Sequence, residues 1–196
     1  MNETFFELVA TYGTWVVGLS SFLSCLLVPI PTALVMLAGG AFAAAGDLSL
    51  TAVLAAAYLG AVLGDQTGYR IGRALGPRLV ALAETRPKAE KSFSKARDLV
   101  SRHGGYAVFF STWAVAPLGP WVNLAAGAAG LKALTFTLWD AMGEAIWVGF
   151  YVFIGYSFAA DIVWLADFLT DAAGFLAAAV VTIVLGAILV RRFRRS

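Results

Sequence analysis

The chain has 196 residues, of which 60% are hydrophobic and only 13% charged, and its mean hydropathy is +0.81. A soluble domain of this length carries about 25% charged residues and has too little interior for so much apolar surface, so composition points to a single polytopic domain in lipid. The formal net charge is only +2, and one cysteine (Cys25) and one histidine (His103) exclude a disulfide framework, a CxxC redox or zinc site and a His-based metal cluster. His103, in a basic loop beside Gly104 and Gly105, reads as a solvated loop residue. No Lys or Arg precedes the first apolar stretch, so a secretory signal of the usual form is not expected.

Apolar stretches follow in order. The first, about Phe5–Leu23, carries Trp15 inside it. The second, about Ser24–Ala45, is broken by Pro29, Pro31, Gly39 and Gly40. The third, Leu50–Leu63, is Ala/Leu-rich and short for a span. The run Gly64-Asp65-Gln66-Thr67-Gly68-Tyr69-Arg70-Ile71-Gly72-Arg73-Ala74-Leu75-Gly76 ends it and begins a basic loop. On a continuing helix Asp65, Tyr69, Gly72, Arg73 and Gly76 share one stripe, with small residues that admit a close neighbour. No phosphate loop is present in it.

Residues 83–103 are the one soluble-looking stretch. Pro87 suits a first helical turn, and Phe93, Ala96, Leu99 and Val100 recur at helical spacing among Lys88, Lys91, Lys95, Arg97 and Arg102. This predicts an amphipathic helix anchored on the cytoplasmic membrane surface. The fourth apolar stretch, Tyr106–Gly130, is broken by Pro117, Gly119, Pro120, Gly127 and Gly130. Two cleaner helices follow, about Ala133–Phe158 and Leu165–Val190.

All fourteen Lys and Arg lie after residue 69: nine between Arg70 and Arg102, Lys132, and four from Arg191 to Arg195. Basic residues in short loops mark the cytoplasmic side. An even number of crossings must then separate the basic loop from the basic tail. Tyr106–Gly130 is accordingly expected to be re-entrant from the cytoplasm, and Ser24–Ala45 to be re-entrant from the opposite face, with a cavity between them. An internal repeat agrees with this. Pro-Ile-Pro-Thr (29–32), Leu-Ala-Gly-Gly (37–40), Gly46 and Gly64-Asp65 match Pro-Leu-Gly-Pro (117–120), Leu-Ala-Ala-Gly (124–127), Gly130 and Gly143-Glu144. Proline-broken segments in matching halves point to a midplane binding site. The expected class is an all-α integral membrane protein, an inverted repeat with two opposed re-entrant hairpins plus transmembrane helices. The first repeat covers residues 20–69, the cytoplasmic segment 70–105, the second repeat 106–160, and a C-terminal transmembrane helix 165–190.

Ionisable residues at membrane depth are costly and mark function by default. Asp140 and Glu144 stand at i and i+4 on one helix face. Two carboxylates so close in a low dielectric disfavour double ionisation, which makes them a candidate proton-coupling pair. Asn123, inside the second broken segment, is a polar group that must find a partner. No nucleophile–base pair and no cofactor motif is visible, so an enzyme is not expected.

The run GDQTGYRIGRALG, with PIPTALVMLAGG before it and NLAAGAAG after it, resembles the DedA family (the SNARE-associated, or VTT, domain proteins), over about residues 20–160. The resemblance implies opposed re-entrant hairpins and a lipid transporter, a flippase or scramblase. Its substrates would be lipids with anionic headgroups, such as undecaprenyl phosphate or phospholipid. It places the chain in the plasma (inner) membrane as a multi-pass protein with a cytoplasmic C-terminus. It brings no nucleic acid partner, and self-association stays open. The family commonly has an acid just after the first proline, where this chain has Thr32-Ala33. It also commonly has arginines around the second hairpin, where this chain has Phe110-Ser111-Thr112-Trp113 and Pro117-Leu118-Gly119-Pro120. Headgroup binding then falls to Arg70, Arg73, Asp65, Tyr69, Asn123, Pro31 and Pro120, aided by amide ends of broken helices. Proton coupling falls to Asp65, Asp140 or Glu144. Two other readings compete: a non-transporting scaffold for envelope assembly, and a proton-coupled exporter of small solutes.

Overall fold

The computed structural model describes residues 2–84, 87–113 and 118–159, with side chains for 12–76, 90–112 and 118–159. The helix expected at 165–190, the basic tail and Pro117 lie outside the described residues. Those residues form seven helices and no strand: α1 Asn2–Ser24, α2 Thr32–Ala45, α3 Leu50–Glu84, α4 Pro87–His103, α5 Gly105–Trp113, α6 Gly119–Ala128 and α7 Ala133–Ser157.

The chain breaks between α1 and α2 because Pro29 and Pro31 have no N–H to continue a helix. Leu27 completes the break in the left-handed region (φ 66°), which costs a non-glycine residue about 1–2 kcal/mol. α2 and α6 then end alike. Past α2, Gly46 is left-handed (φ 87°) and the Asp47 N–H returns to the Phe42 carbonyl at 3.0 Å. Past α6, Gly130 is left-handed (φ 74°) and the Leu131 N–H returns to the Ala126 carbonyl at 3.0 Å. Both are Schellman closures, which turn the chain sharply into the long helices α3 and α7.

α3 does not stop at Leu63, where hydropathy falls, but runs on through the GDQTGYRIGRALG segment to Glu84. Its part Leu50–Gly76, 27 residues, is the one helix among the described residues long and apolar enough to cross a membrane. At 1.5 Å per residue it spans about 40 Å, more than a hydrocarbon core of about 30 Å. Trp15, Leu19, Leu59, Leu63, Leu138, Phe150 and Phe153 stand exposed on the outer faces of α1, α3 and α7, a surface that lipid accepts and water does not.

The packing is crossed. α1 lies on α3 and α5 on α7, but α2 lies on α7 and α6 on α3. Glycine makes each contact. Along α3 it recurs every fourth residue: Gly60 faces the Gly18 carbonyl, Gly64 the Phe22 carbonyl, Gly68 the Asn123 Cβ, Gly72 the Leu124 carbonyl and Gly76 the Ala128 backbone. On the other side Gly40 meets the Val152 carbonyl and Gly155 the Leu37 carbonyl. Gly40 and Gly155 therefore do between α2 and α7 what Gly127 and Gly72 do between α6 and α3. Backbones this close leave no room for a Cβ.

α4 begins at Pro87 as its sequence predicts, but its apolar face is not free for a membrane surface. Phe93, Ala96 and Val100 are buried with Val108, Val122 and Ala125 of α5 and α6, while Lys91, Lys95, Arg97 and Arg102 remain exposed. Protein, not lipid, takes the stripe.

Gly127→Val would drive its side chain into the Tyr69 carbonyl and Arg73 nitrogen. It should cost on the order of 3 kcal/mol or more and send the purified protein into aggregates on size-exclusion chromatography. Gly149, with open space around its Cβ position, should accept Gly149→Ala within about 1 kcal/mol of wild type.

Candidate functional site

Four elements converge on one polar centre. α3 supplies Asp65 from its glycine stripe. α6 supplies Asn123, α7 supplies Asp140 and Glu144 one turn apart, and the turn after α1 supplies Cys25. Asn123 lies against α3 beside Gly68, where Gly72 and Gly127 bring the two backbones together, and its Nδ2 donates to Asp65 Oδ1. Asp65, Asn123 and Glu144 are buried, and Asp140 has no exposed surface at all. One oxygen each of Asp65 and Glu144 and the Cys25 Sγ lie within 4.8 Å of one another.

Charge in this centre is not balanced. Both oxygens of Asp140 and Oε2 of Glu144 are fully enclosed and meet no donor among the described residues. The neighbours they do have are the oxygens of Asp65, which are acceptors like themselves. Gln66 stands beside Asp140 but directs its amide nitrogen at the Thr137 hydroxyl, 3.0 Å away. The side chains acting on the three acids are one another, Cys25, Asn123 and Gln66.

The centre forms the floor of a cavity of about 540 Å³. Its lining takes in the proline turn from Leu27 to Thr32, Thr112, Gly119 and Pro120 around the start of α6, and Trp147 of α7. Of the residues singled out from sequence, Asp65, Asn123, Glu144, Pro31 and Pro120 line this cavity, and Asp140 sits enclosed behind Asp65. Tyr69, Arg70 and Arg73 are not on its lining. The Tyr69 hydroxyl donates to the Leu131 carbonyl at 2.5 Å, its ring stacks on Phe136 at 4.5 Å, and Arg73 Nη1 reaches the Tyr69 hydroxyl and the Leu131 carbonyl at 2.8 and 3.2 Å. These two side chains fasten the α6–α7 loop to α3. Arg70 is exposed on the surface of α3. His103 is exposed, its Nδ1 3.3 Å from the Leu99 carbonyl at the end of α4. Sequence reasoning passed over Cys25, Thr112 and Trp147, since a lone cysteine in an apolar run carries no local signal.

A family model of the VTT domain matches residues 28–157, the span from the first proline turn to the end of α7. The chain belongs to the VTT-domain, or DedA, family. Among its relatives, an uncharacterized membrane protein of Synechocystis is 36% identical over 155 residues, 79% of this chain and 71% of that one. Protein DedA of Escherichia coli K12 is 26% identical over 162 residues, covering 78% and 73% of the two chains. A protein of Lactococcus lactis named alkaline phosphatase-like is 26% identical over 160 residues, covering 75% and 71%. No solved structure matches the chain. With relatives that are named membrane proteins and an apolar outer surface, this is a membrane protein.

The unbalanced centre makes opposite predictions for two conservative changes. Asn123→Ala removes the donor to Asp65 and should cost about 1–3 kcal/mol. Asp140→Asn replaces an uncompensated acid by an amide that can donate to Asp65, and should gain on the order of 1 kcal/mol. Thermal unfolding in detergent, followed by tryptophan fluorescence, reads both.

Proposed function

We infer that this protein is a membrane transporter, a flippase or scramblase, that moves a lipid with an anionic headgroup through the cavity between its two proline turns. The observation that carries this reading is the cavity itself: apolar along Leu27, Val28, Pro29 and Ile30, polar at its floor of Asp65, Asn123 and Glu144. An amphiphile has that same division. We read the crossed packing as an inverted repeat, with α1–α2 and α5–α6 as opposed hairpins dipping into a multi-pass domain of the plasma membrane. The matching caps at Gly46 and Gly130, and the matching glycine contacts, support it. The basic segments favour a cytoplasmic C-terminus.

Three acids crowded in a low dielectric, with no cation beside them among the described residues, disfavour full ionisation, which supports a reading in which transport is coupled to protons. Protonated, Asp65 and Glu144 can donate to phosphate oxygens, in place of guanidinium groups, of which the described lining holds none. Arg73 is assigned a fastening role and Arg70 a role at the membrane surface. The surplus of acids also favours a second reading, export of a small cationic solute against protons. The alkaline phosphatase-like name belongs to that relative, and we assign no hydrolase activity to this chain: Ser24 lines the cavity without a histidine beside it among the described residues.

Proteoliposomes with a fluorescent phospholipid in one arm, a polyprenyl phosphate in a second and an organic cation in a third test this. Wild type should move a lipid at a rate that changes with pH. Asp65→Asn and Glu144→Gln should lower that rate at least tenfold in folded protein, while Arg73→Ala loses stability but keeps the per-molecule rate. Movement of the cation alone would replace lipid by solute. Movement of nothing by folded protein would leave a non-transporting scaffold for envelope assembly.

A further inference from the structure

We propose that Cys25, Asp65 and Glu144 form a binding site for a thiophilic divalent transition-metal cation, of which zinc is the type, at the floor of the cavity. This goes beyond transport and does not depend on it. The donor set comes from three separate elements, the turn after α1, α3 and α7, yet one sulfur and two carboxylate oxygens fall within 4.8 Å of one another. In tetrahedral coordination, bonds of about 2.0–2.3 Å hold the donors of one ion about 3.3–3.7 Å apart, so side-chain movements of about 1 Å close the set on an ion.

A second observation points the same way. Oε2 of Glu144 and both oxygens of Asp140 are enclosed and have no donor among the described residues. Asp140 packs against Asp65, and so adds a further uncompensated acid at the edge of the set. Hydrogen bonds within the protein do not answer this surplus; a divalent cation between Cys25, Asp65 and Glu144 does, by offsetting two negative charges at once. The sulfur selects the ion. Magnesium and calcium take oxygen ligands, whereas a mixed thiolate and carboxylate set suits zinc, cobalt or cadmium. Asn123, bonded to Asp65, holds that carboxylate in orientation as outer partners of metal ligands do. All three donors line the cavity, which supplies an entry path and room for water to complete the coordination.

Since Cys25 is the chain's single cysteine, any thiolate signal reports on this site alone. The full chain, purified in detergent without a polyhistidine tag and stripped of metal, would be titrated with Co²⁺. One ion per chain should bind with a thiolate-to-cobalt charge-transfer band in the near ultraviolet, and Zn²⁺ should displace it. Cys25→Ser should abolish the band, and Asp65→Asn or Glu144→Gln should weaken binding at least tenfold, whereas Asp98→Asn on the exposed face of α4 should leave it unchanged. Absence of a saturable band from folded wild type overturns the proposal. So does a band whose affinity is the same in Asp65→Asn and Glu144→Gln, because the cysteine would then be binding alone. A second measurement needs no variant: Zn²⁺ should slow maleimide alkylation of Cys25 in wild type at least tenfold, and an unchanged rate overturns the site. None of these readouts involves lipid movement, so this site and the transport reading fail separately.

Discussion

The architecture depends on the glycine stripe of α3. In lipid, helices gain little by hiding apolar surface from one another, since hydrocarbon surrounds them either way. What holds them is close packing, with the polar contacts that closeness permits. Glycine at every fourth position from Gly60 to Gly76 lets α1 and then α6 lie end to end on α3 with carbonyls against bare Cα atoms. Asn123 reaches Asp65 because Gly72 and Gly127 let the backbones of α3 and α6 touch on either side of it. The polar centre is thus a consequence of the packing that builds the fold.

That centre sets stability against use. A buried carboxylate without a partner costs several kcal/mol, and Asn123 answers one oxygen of Asp65 only. The rest of the charge is left to groups that are not fixed parts of the fold: protons, a cation, or a polar substrate. A protein selected for stability alone would fill the positions of Asp140 and Glu144 with apolar side chains. Their presence on the α7 face that meets α3 is the reason the cavity is proposed as the working part of the molecule.

The crossed arrangement ties the two halves into one unit. Neither two-helix element completes its packing on its own long helix: α2 needs the carbonyl of Val152, and α6 needs that of Tyr69. The cavity lies between the proline turn before α2 and the start of α6, and takes Asp65 from α3 and Glu144 from α7. α4 closes the α6 side by burying Phe93, Ala96 and Val100, and leaves its cations outside.

Composition and periodicity determined a good deal. An apolar chain with punctuated segments had to be helical and in lipid. The starts of α3, α4 and α7 at Leu50, Pro87 and Ala133 follow from local signals: left-handed glycines that end the preceding helices, and a proline at the head of a basic segment. The shared face of Asp140 and Glu144 follows from helical geometry. Other features were decided by tertiary structure. Hydropathy measures affinity for lipid and not helicity, so the end of α3 was sought near Leu63 when the helix runs to Glu84. An amphipathic stripe is the same whether lipid or α6 covers it, so the partner of α4 was not legible. The motif match that set Gly64-Asp65 beside Gly143-Glu144 counted letters. Packing instead pairs Gly72 with Gly155, because a glycine's role is fixed by the backbone it meets. Cys25, Asp65, Asn123 and Glu144 are scattered along the chain with no spacing to announce them. Only the close approach of α3 to α6 and α7, possible where a hydrogen atom stands in for a side chain, brings them together.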